Sequence, residues 1–327
     1  MSKRREIARA DRVVHGLWRL RLPLPWPGVP HVNAWAIAAG SGVVLVDTGL
    51  GGPGALGQLE LGLHQAGVRL EHIRLLVCTH AHSDHYGLAG SIVDAAGCEL
   101  WMHPAHAHLT ANLDDTDRIV ERRIEVGRQS GVPERYLKQY EERRGQPIGV
   151  DRFVSPDRDL LPGVEVDTDL GRWQVYETPG HAPSHVTLHQ PDRGLLLSGD
   201  HLLGRVSLYY DFGYTADPAG EFLESLDVVD RLDARLALAG HGRPFRDVDR
   251  HVEATRGAVL ERIERVRSCL GGVPRTPFEI VPEFLDEPEP SPLMLNWGLN
   301  EVLVYLRHLE MRDHAHHLEG DVETWTR

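Results

Sequence analysis

The sequence predicts an α/β fold with a small helical region appended, and three observations carry that expectation. Short apolar runs of strand length alternate with helical periodicities over roughly the first 245 residues. Many of those runs end in Gly, His or Asp turns, where open α/β sheets present ligands. From about residue 247 the rhythm of strands and turns stops and helical periodicity takes over. The expected division is a sheet domain over 1–246, with a helical insertion at 103–150, and a helical domain over 247–327.

At 327 residues the chain is long enough for one large domain and one small one. Hydrophobic residues make up 41% of it, enough to bury a core. A net charge of −13 argues against an electrostatic grip on nucleic acid or an anionic membrane. Cys78, Cys98 and Cys269 are odd in number and scattered, which fits a reducing compartment and no disulfide framework. The basic start at 1–7 has no apolar stretch behind it, and no run reaches the roughly 18 apolar residues of a membrane span. A soluble, cytoplasmic protein acting on a small molecule is expected, with a homo-oligomer left open.

Taken in order, 33–38 and 42–46 read as strands joined by Ala39-Gly40-Ser41, the second running into Asp47-Thr48-Gly49. An acid at a strand end is either a turn former or a group that orients metal ligands from behind. Residues 53–66 carry a helical pattern between Pro53 and Gly67. Then come a buried strand at 73–78, a helix at 87–96 and a short strand at 98–102. Residues 114–130 and 133–144 are helix-like and dense in Arg and Glu. Such texture usually marks a solvated face, though an excursion of this kind can also form a lid. His103, His106 and His108 lack a carboxylate partner in the sequence pattern and read as surface histidines. Strands resume at 164–167, 172–177, 186–189 and 195–197, followed by a helix at 217–232 and a strand at 235–239. Helices at 247–269, 276–284 and 293–311 and a short hairpin within 314–325 complete the chain.

The densest chemistry is Thr79-His80-Ala81-His82-Ser83-Asp84-His85, on the turn between the strand at 73–78 and the next helix. In an extended stretch His80 and His82 project to one side and can grip one cation. Asp84 and His85 lie past the bend and point elsewhere. Imidazole with carboxylate suits zinc, iron or manganese, and a His-rich surface turn is the plain alternative. His181, Asp200 and His241 recur in the same strand-end context, in Thr178-Pro179-Gly180-His181, Ser198-Gly199-Asp200 and Gly240-His241-Gly242. Each alone is a common turn residue. Strand ends of a packed sheet share one edge, however, so distant members can converge there.

The order THxHxDH, PGH, SGD and GHG, with VDTG upstream, resembles the metallo-β-lactamase superfamily, in its dinuclear hydrolase branch, over about residues 13–245. The resemblance implies a four-layer αββα sandwich with metals at one edge of its two sheets. Carried over by motif, it implies His80, His82 and His181 on a first metal, and Asp84, His85 and His241 on a second. Asp200 would bridge them, and Asp47 would stand behind the ligands. Two divalent ions are implied, zinc first and iron or manganese as alternatives, sharing a water whose pKa falls to about 7. A bridging hydroxide would then attack a thioester, carboxylic ester or lactone, as in hydroxyacylglutathione-hydrolase-like members. Asp84 and Asp200 are the catalytic carboxylates in this reading, and Asp84 could take a proton as the intermediate breaks down. His185 and His201 fall outside the ligand pattern and read as structural or as supports behind the ligands. The aromatic stretch 207–214 reads equally as packing or as cleft lining.

Arg275-Thr276-Pro277 and the run 303–310 resemble the winged-helix-type appendage of the β-lactamase-like-protein-2 group. The alternatives to ester hydrolysis are RNA cleavage at the same metal site and iron-dependent redox chemistry on the same scaffold. The appendage supports the RNA reading by analogy only. Residues 247–327 hold nine basic residues against 16 acidic ones, and the helix at 293–311 has one Arg, Arg307, and no Lys. Nucleic acid is therefore not the expected partner; a role in shaping the cleft or a subunit contact is.

Overall fold

The computed structural model describes residues 6–318 and 320–327; most of the basic start, residues 1–5, lies outside them. Strands β1 (Arg9–Val14), β2 (Leu17–Trp26), β3 (Val29–Ala39) and β4 (Gly42–Val46) form an antiparallel meander. The sequence reading proposed no element before residue 33, because Pro23 and Pro25 interrupt what is β2. Alternation still sorts its faces. Leu20, Leu22, Val32, Ala34 and Ala36 point outward to a helix layer, while Leu17, Trp35 and Ile37 point inward.

Helix α1 (Ala55–Gln65) covers the outer face and leads to β5 (Ile73–Cys78), parallel to β4. The helix expected at 87–96 is α3 (Ala89–Ala96), and a separate short helix, α2 (Ser83–Tyr86), precedes it. Between them, Gly87 meets the backbone of Gly51 and Gly149 so closely that no side chain would fit. Strand β6 (Glu99–Met102) continues the sheet in parallel. After α4 (Ala107–Thr110), α5 (Asp117–Gln129) and α6 (Glu134–Glu141), β7 (Arg158–Asp159) ends it. The second sheet is β8 (Glu165–Thr168), β9 (Gly171–Glu177), β10 (Val186–Gln190) and β11 (Leu195–Gly199). Helix α7 (Pro218–Asp230) then crosses over to β12 (Leu236–Ala239), parallel to β11.

Trp35, Val46 and Val77 of the first sheet meet Trp173, Val186, Leu197 and Leu238 of the second in one buried cluster. Helices cover both outer faces, which gives four layers, αββα. The parallel pairs β4–β5 and β11–β12 bring strand ends to one edge. Val46 is level with Val77, and Gly199 with Ala239.

The chain closes with α8 (Val248–Ser268), α9 (Pro277–Leu285), α10 (Pro292–Glu310) and a hairpin of β13 (His316–Leu318) and β14 (Thr324–Thr326). Thr276 and Glu279 form a reciprocal capping box at α9, with Pro277 at its first turn. Leu303, Leu306 and Leu309 are buried, and so are Val302, Val304 and Tyr305, so α10 is apolar nearly all round. Its cluster is continuous with Leu226 and Val229 of α7, and takes in Val132 and Leu137 of the insertion. The charge-rich α5 and α6 are thus one-sided: Arg and Glu face solvent while Val120, Ile124 and Leu137 are buried. No helix among the described residues is long and apolar enough to cross a membrane.

One polar clamp joins α7 to α10. Asp217 caps α7 through the Gly220 N–H (2.9 Å) and accepts from His308 Nδ1 (2.8 Å) and Arg312 Nη1 (2.9 Å). Burial alone would raise the Asp217 pKa, but these donors outweigh it and hold it at about 2. Because the folded value lies below the ordinary 3.8, the stabilisation is complete above about pH 5 and fades as pH falls toward 2. Asp217→Asn should therefore cost about 1–3 kcal/mol at pH 7 in urea unfolding. The gap to wild type should narrow between pH 5 and pH 3.

Candidate metal centre

The common edge carries the chemistry. Asp47 follows β4 with φ of 63°, a left-handed conformation that Asp tolerates better than most residues. That turn sends its buried carboxylate back to the end of β5. There it accepts from the Thr79 N–H (2.8 Å), the Thr79 hydroxyl (3.0 Å) and His85 Nδ1 (2.9 Å).

Two donor groups form in front of it. His80 Nε2 lies 3.0 Å from His82 Nδ1, which lies 3.0 Å from His181 Nε2. In the second group His241 Nε2 is 3.3 Å from Asp84 Oδ2, and His85 Nε2 is 3.7 Å from the same oxygen. Asp200 stands between the groups. One oxygen is 3.1 Å from His241 and 3.8 Å from His181, and the other is 3.5 Å from His85. All seven residues singled out in the sequence thus meet, from turns up to 161 positions apart.

These donors fit cations on three counts. Separations of this size are those of atoms that each sit about 2.0–2.2 Å from one ion. Asp84 Oδ2, His85 Nε2 and Asp200 Oδ1 are buried without a hydrogen-bond partner among the described residues, which is costly unless an ion satisfies them. And each of the five imidazoles gives its far nitrogen to an acceptor, so the near lone pair faces the cluster. His80 Nδ1 donates to Thr79 Oγ1 (3.0 Å), His82 Nε2 to Asp211 (2.9 Å) and His85 Nδ1 to Asp47. His181 Nδ1 donates to the Tyr209 carbonyl (3.0 Å) and His241 Nδ1 to that of His31 (2.9 Å).

Electrostatics divides the two groups. Burial and the neighbouring imidazoles push His80 well down, and push His181 down to about 4, whereas on His82 the Asp211 carboxylate overcomes burial and raises it. Burial opposes charge on His85 and His241 too, but Asp200 and Asp84 overcome it, raising His85 well above its ordinary value and His241 to about 10. Without an ion, protons on these two rings balance the two carboxylates. A cation entering the second group displaces those protons.

Several supports were not legible in the sequence. His108, expected at the surface, is buried. Its Nδ1 donates to Asp211 (2.9 Å) and its Nε2 accepts from the Ser184 hydroxyl (2.8 Å), which itself accepts from the Ala81 N–H (3.0 Å). The insertion thereby props the acid that orients His82. His103 is also buried, donating to Glu177 (2.9 Å), whereas His106 is half-buried. Both expectations failed because long-range partners, invisible to local spacing, compensate burial. In 207–214 alternate residues take different partners. Leu208 and Tyr210 pack against the helix layer, while Tyr209 and Asp211 turn to the histidines. His185 is buried, bonded to Thr178 Oγ1 (2.8 Å) and accepting the Asp200 N–H (3.0 Å); the His201 ring lies tilted against that of Phe222, 4.5 Å between centroids.

The family model described as Metallo-beta-lactamase superfamily matches residues 27–241. The chain belongs to that superfamily, and it is a metal-dependent hydrolase. It is similar to the probable metallo-hydrolase YqjP of Bacillus subtilis (strain 168), at 27% identity over 272 residues, covering 80% of this chain and 82% of that one. It is also similar to the acyl-coenzyme A thioesterase MBLAC2 of Bos taurus, at 26% identity over 227 residues, covering 66% and 74%. Among solved structures, a metallo-beta-lactamase family protein from Thermus thermophilus matches with a TM-score of 0.82 at 28% identity. That match covers 97% of this chain and all of the other.

Gly240 is level with the Asp200 carboxylate, and a Cβ there would run into it and into the His85 ring. Gly240→Ala should therefore displace Asp200 and lower metal content in the purified protein, with the melting temperature little changed in chelator. Asp211→Asn should weaken metal retention against a competing chelator by about 10–100-fold.

Proposed function

We propose that His80, His82 and His181 hold one divalent cation and Asp84, His85 and His241 a second, with Asp200 bridging and Asp47 orienting His85. Zinc is the proposed metal, from the borderline-soft imidazole and carboxylate donors. The proposed reaction is hydrolysis of a thioester, carboxylic ester or lactone. The observation that carries this reading is the position of Asp200 between an all-imidazole group and a carboxylate-bearing one.

Two ions held by these residues would supply an acidified water and a Lewis acid for the carbonyl oxygen. The chain's own residues do the rest. Asp200 fixes the spacing of the two donor groups, itself held by His185 through its N–H. Asp84, with Oδ2 buried beside His241, is the carboxylate placed to accept the proton lost by water and return it to the leaving atom. Tyr209, its ring 5.7 Å from His82 and 5.8 Å from His181, lines the approach and excludes water from that side. The likeness to a protein named as an acyl-coenzyme A thioesterase favours a thioester over the oxygen esters. Residues 1–246 are proposed as the catalytic unit, and 247–327 as the part that holds α5 and α6 in place beside it, since Phe278 and Glu323 N–H groups bond the Ser130 and Gln129 carbonyls.

A panel of thioesters, lactones and carboxylic esters tests the reading. Chelation should abolish turnover, and about two zinc equivalents per chain should restore it. Asp84→Asn should lower kcat about 10²–10⁴-fold. Full activity with a single metal equivalent, or turnover of none of the panel by zinc-replete protein, would sink it.

A further inference from the structure

Beside the metal edge lies a row of cations that the metal site does not use. Antiparallel pairing sets Arg9 opposite Arg21 and Arg21 opposite Asn33, so these three side chains share one row on the inner face of β1, β2 and β3. The adjoining row toward the hairpin tip is Pro23 opposite His31. His31 is thus a diagonal neighbour of Arg21, within reach of so long a side chain.

This face abuts the turn that carries His241. The Asn33 N–H bonds the Gly240 carbonyl (2.7 Å), and Asn33 Nδ2 bonds those of Ala239 (2.8 Å) and Gly242 (2.9 Å). The His31 carbonyl accepts from His241 itself. In the next row Arg19 is spoken for, bonded to Asp11 (2.6 Å) and to the Gly242 carbonyl (2.9 Å). Arg21 is different. It makes no ion pair or hydrogen bond among the described residues, and its Nε is buried without a partner; Asp11, the acid diagonal to it on that face, is held by Arg19. His31 Nε2 is buried and unpartnered as well. In a chain of net charge −13, acids to neutralise an arginine are plentiful. A half-buried guanidinium without one, facing a half-buried imidazole, lacks an acceptor that this fold does not provide.

We propose that Arg21, with His31 and Arg9, is a subsite for an oxyanion, a carboxylate or phosphate, on the far part of the substrate whose carbonyl is cleaved at the metals. Arg21 offers a planar fork for two oxygens, and His31 Nε2 adds a third donor. The site then selects thioesters whose thiol portion is anionic, while the reacting atoms stay at Asp84 and Asp200. This rests on the hydrolase reading above.

Three thioesters with the same acetyl group separate the cases: the uncharged N-acetylcysteamine thioester, S-acetylglutathione with its carboxylates, and acetyl-coenzyme A with its phosphates. With zinc-loaded protein, Arg21→Gln should raise KM about tenfold for an anionic thioester at unchanged kcat. It should leave kcat/KM for the uncharged one within about twofold, and Arg21→Lys should retain part of the preference. Which anionic thioester responds identifies carboxylate or phosphate. An equal effect on all three, or on none, overturns the subsite. If none of the thioesters is hydrolysed, the thioester part of the functional reading fails, and the subsite is then decided by calorimetry with inorganic phosphate and with succinate. Contacts to zinc are common to both proteins, so affinity about tenfold weaker in Arg21→Gln supports the subsite and equal affinity overturns it.

Discussion

The buried carboxylate of Asp47 is the contact on which the metal edge depends. It stands at the end of β4 and takes a backbone N–H, a hydroxyl and an imidazole N–H from the end of β5 and from α2. Charge-assisted bonds to a carboxylate are each worth more than neutral ones, and here they act where neither sheet nor helix can hold the chain by its own ladder. They set three things together: the bend that follows β5, the rotation of the His85 ring, and, through Thr79, the tautomer of His80. The left-handed backbone at Asp47 is a local strain that those bonds offset.

From that corner the site is assembled by topology. Parallel pairing of β4 with β5 and of β11 with β12 makes four strand ends coincide at one edge, and face-to-face packing of the two sheets brings the two pairs together. Glycines then allow the turns to close. Gly240 lets the His241 turn pass over Asp200, and Gly199, at φ of 49°, leaves room for the His185 ring that holds the Asp200 backbone. The result is a set of lone pairs and carboxylates that repel or strand one another unless cations, or protons in their stead, sit between them.

The helix layers are tied to this edge by polar contacts laid over a large apolar cluster. Helix α10 is buried on nearly all sides, and the insertion leans on it through Val132 and Leu137. The same insertion carries His108, which supports Asp211 and so His82. A chain of contacts thus runs from the C-terminal helices to one of the imidazoles, through packing at one end and hydrogen bonds at the other.

The sequence by itself determined the class of fold, most element positions after residue 33 and the seven residues that meet at this edge. Strand-to-turn punctuation and the motifs His80 to His85, His181, Asp200 and His241 are local signals, and ligand chemistry restricts such positions to few residue types. It also marked Asp47. Tertiary structure alone decided which far groups orient those donors. Asp211, the carbonyls of Tyr209 and His31, and the buried His108 and His103 owe their roles to partners tens of residues away, and a backbone carbonyl carries no residue identity to read. The same holds for Arg21. Along the chain it is an arginine in a proline-broken run; only cross-strand register places it beside the His241 turn, next to an Asp11 already bonded to Arg19, because pairing partners are set by the sheet and not by neighbours in sequence.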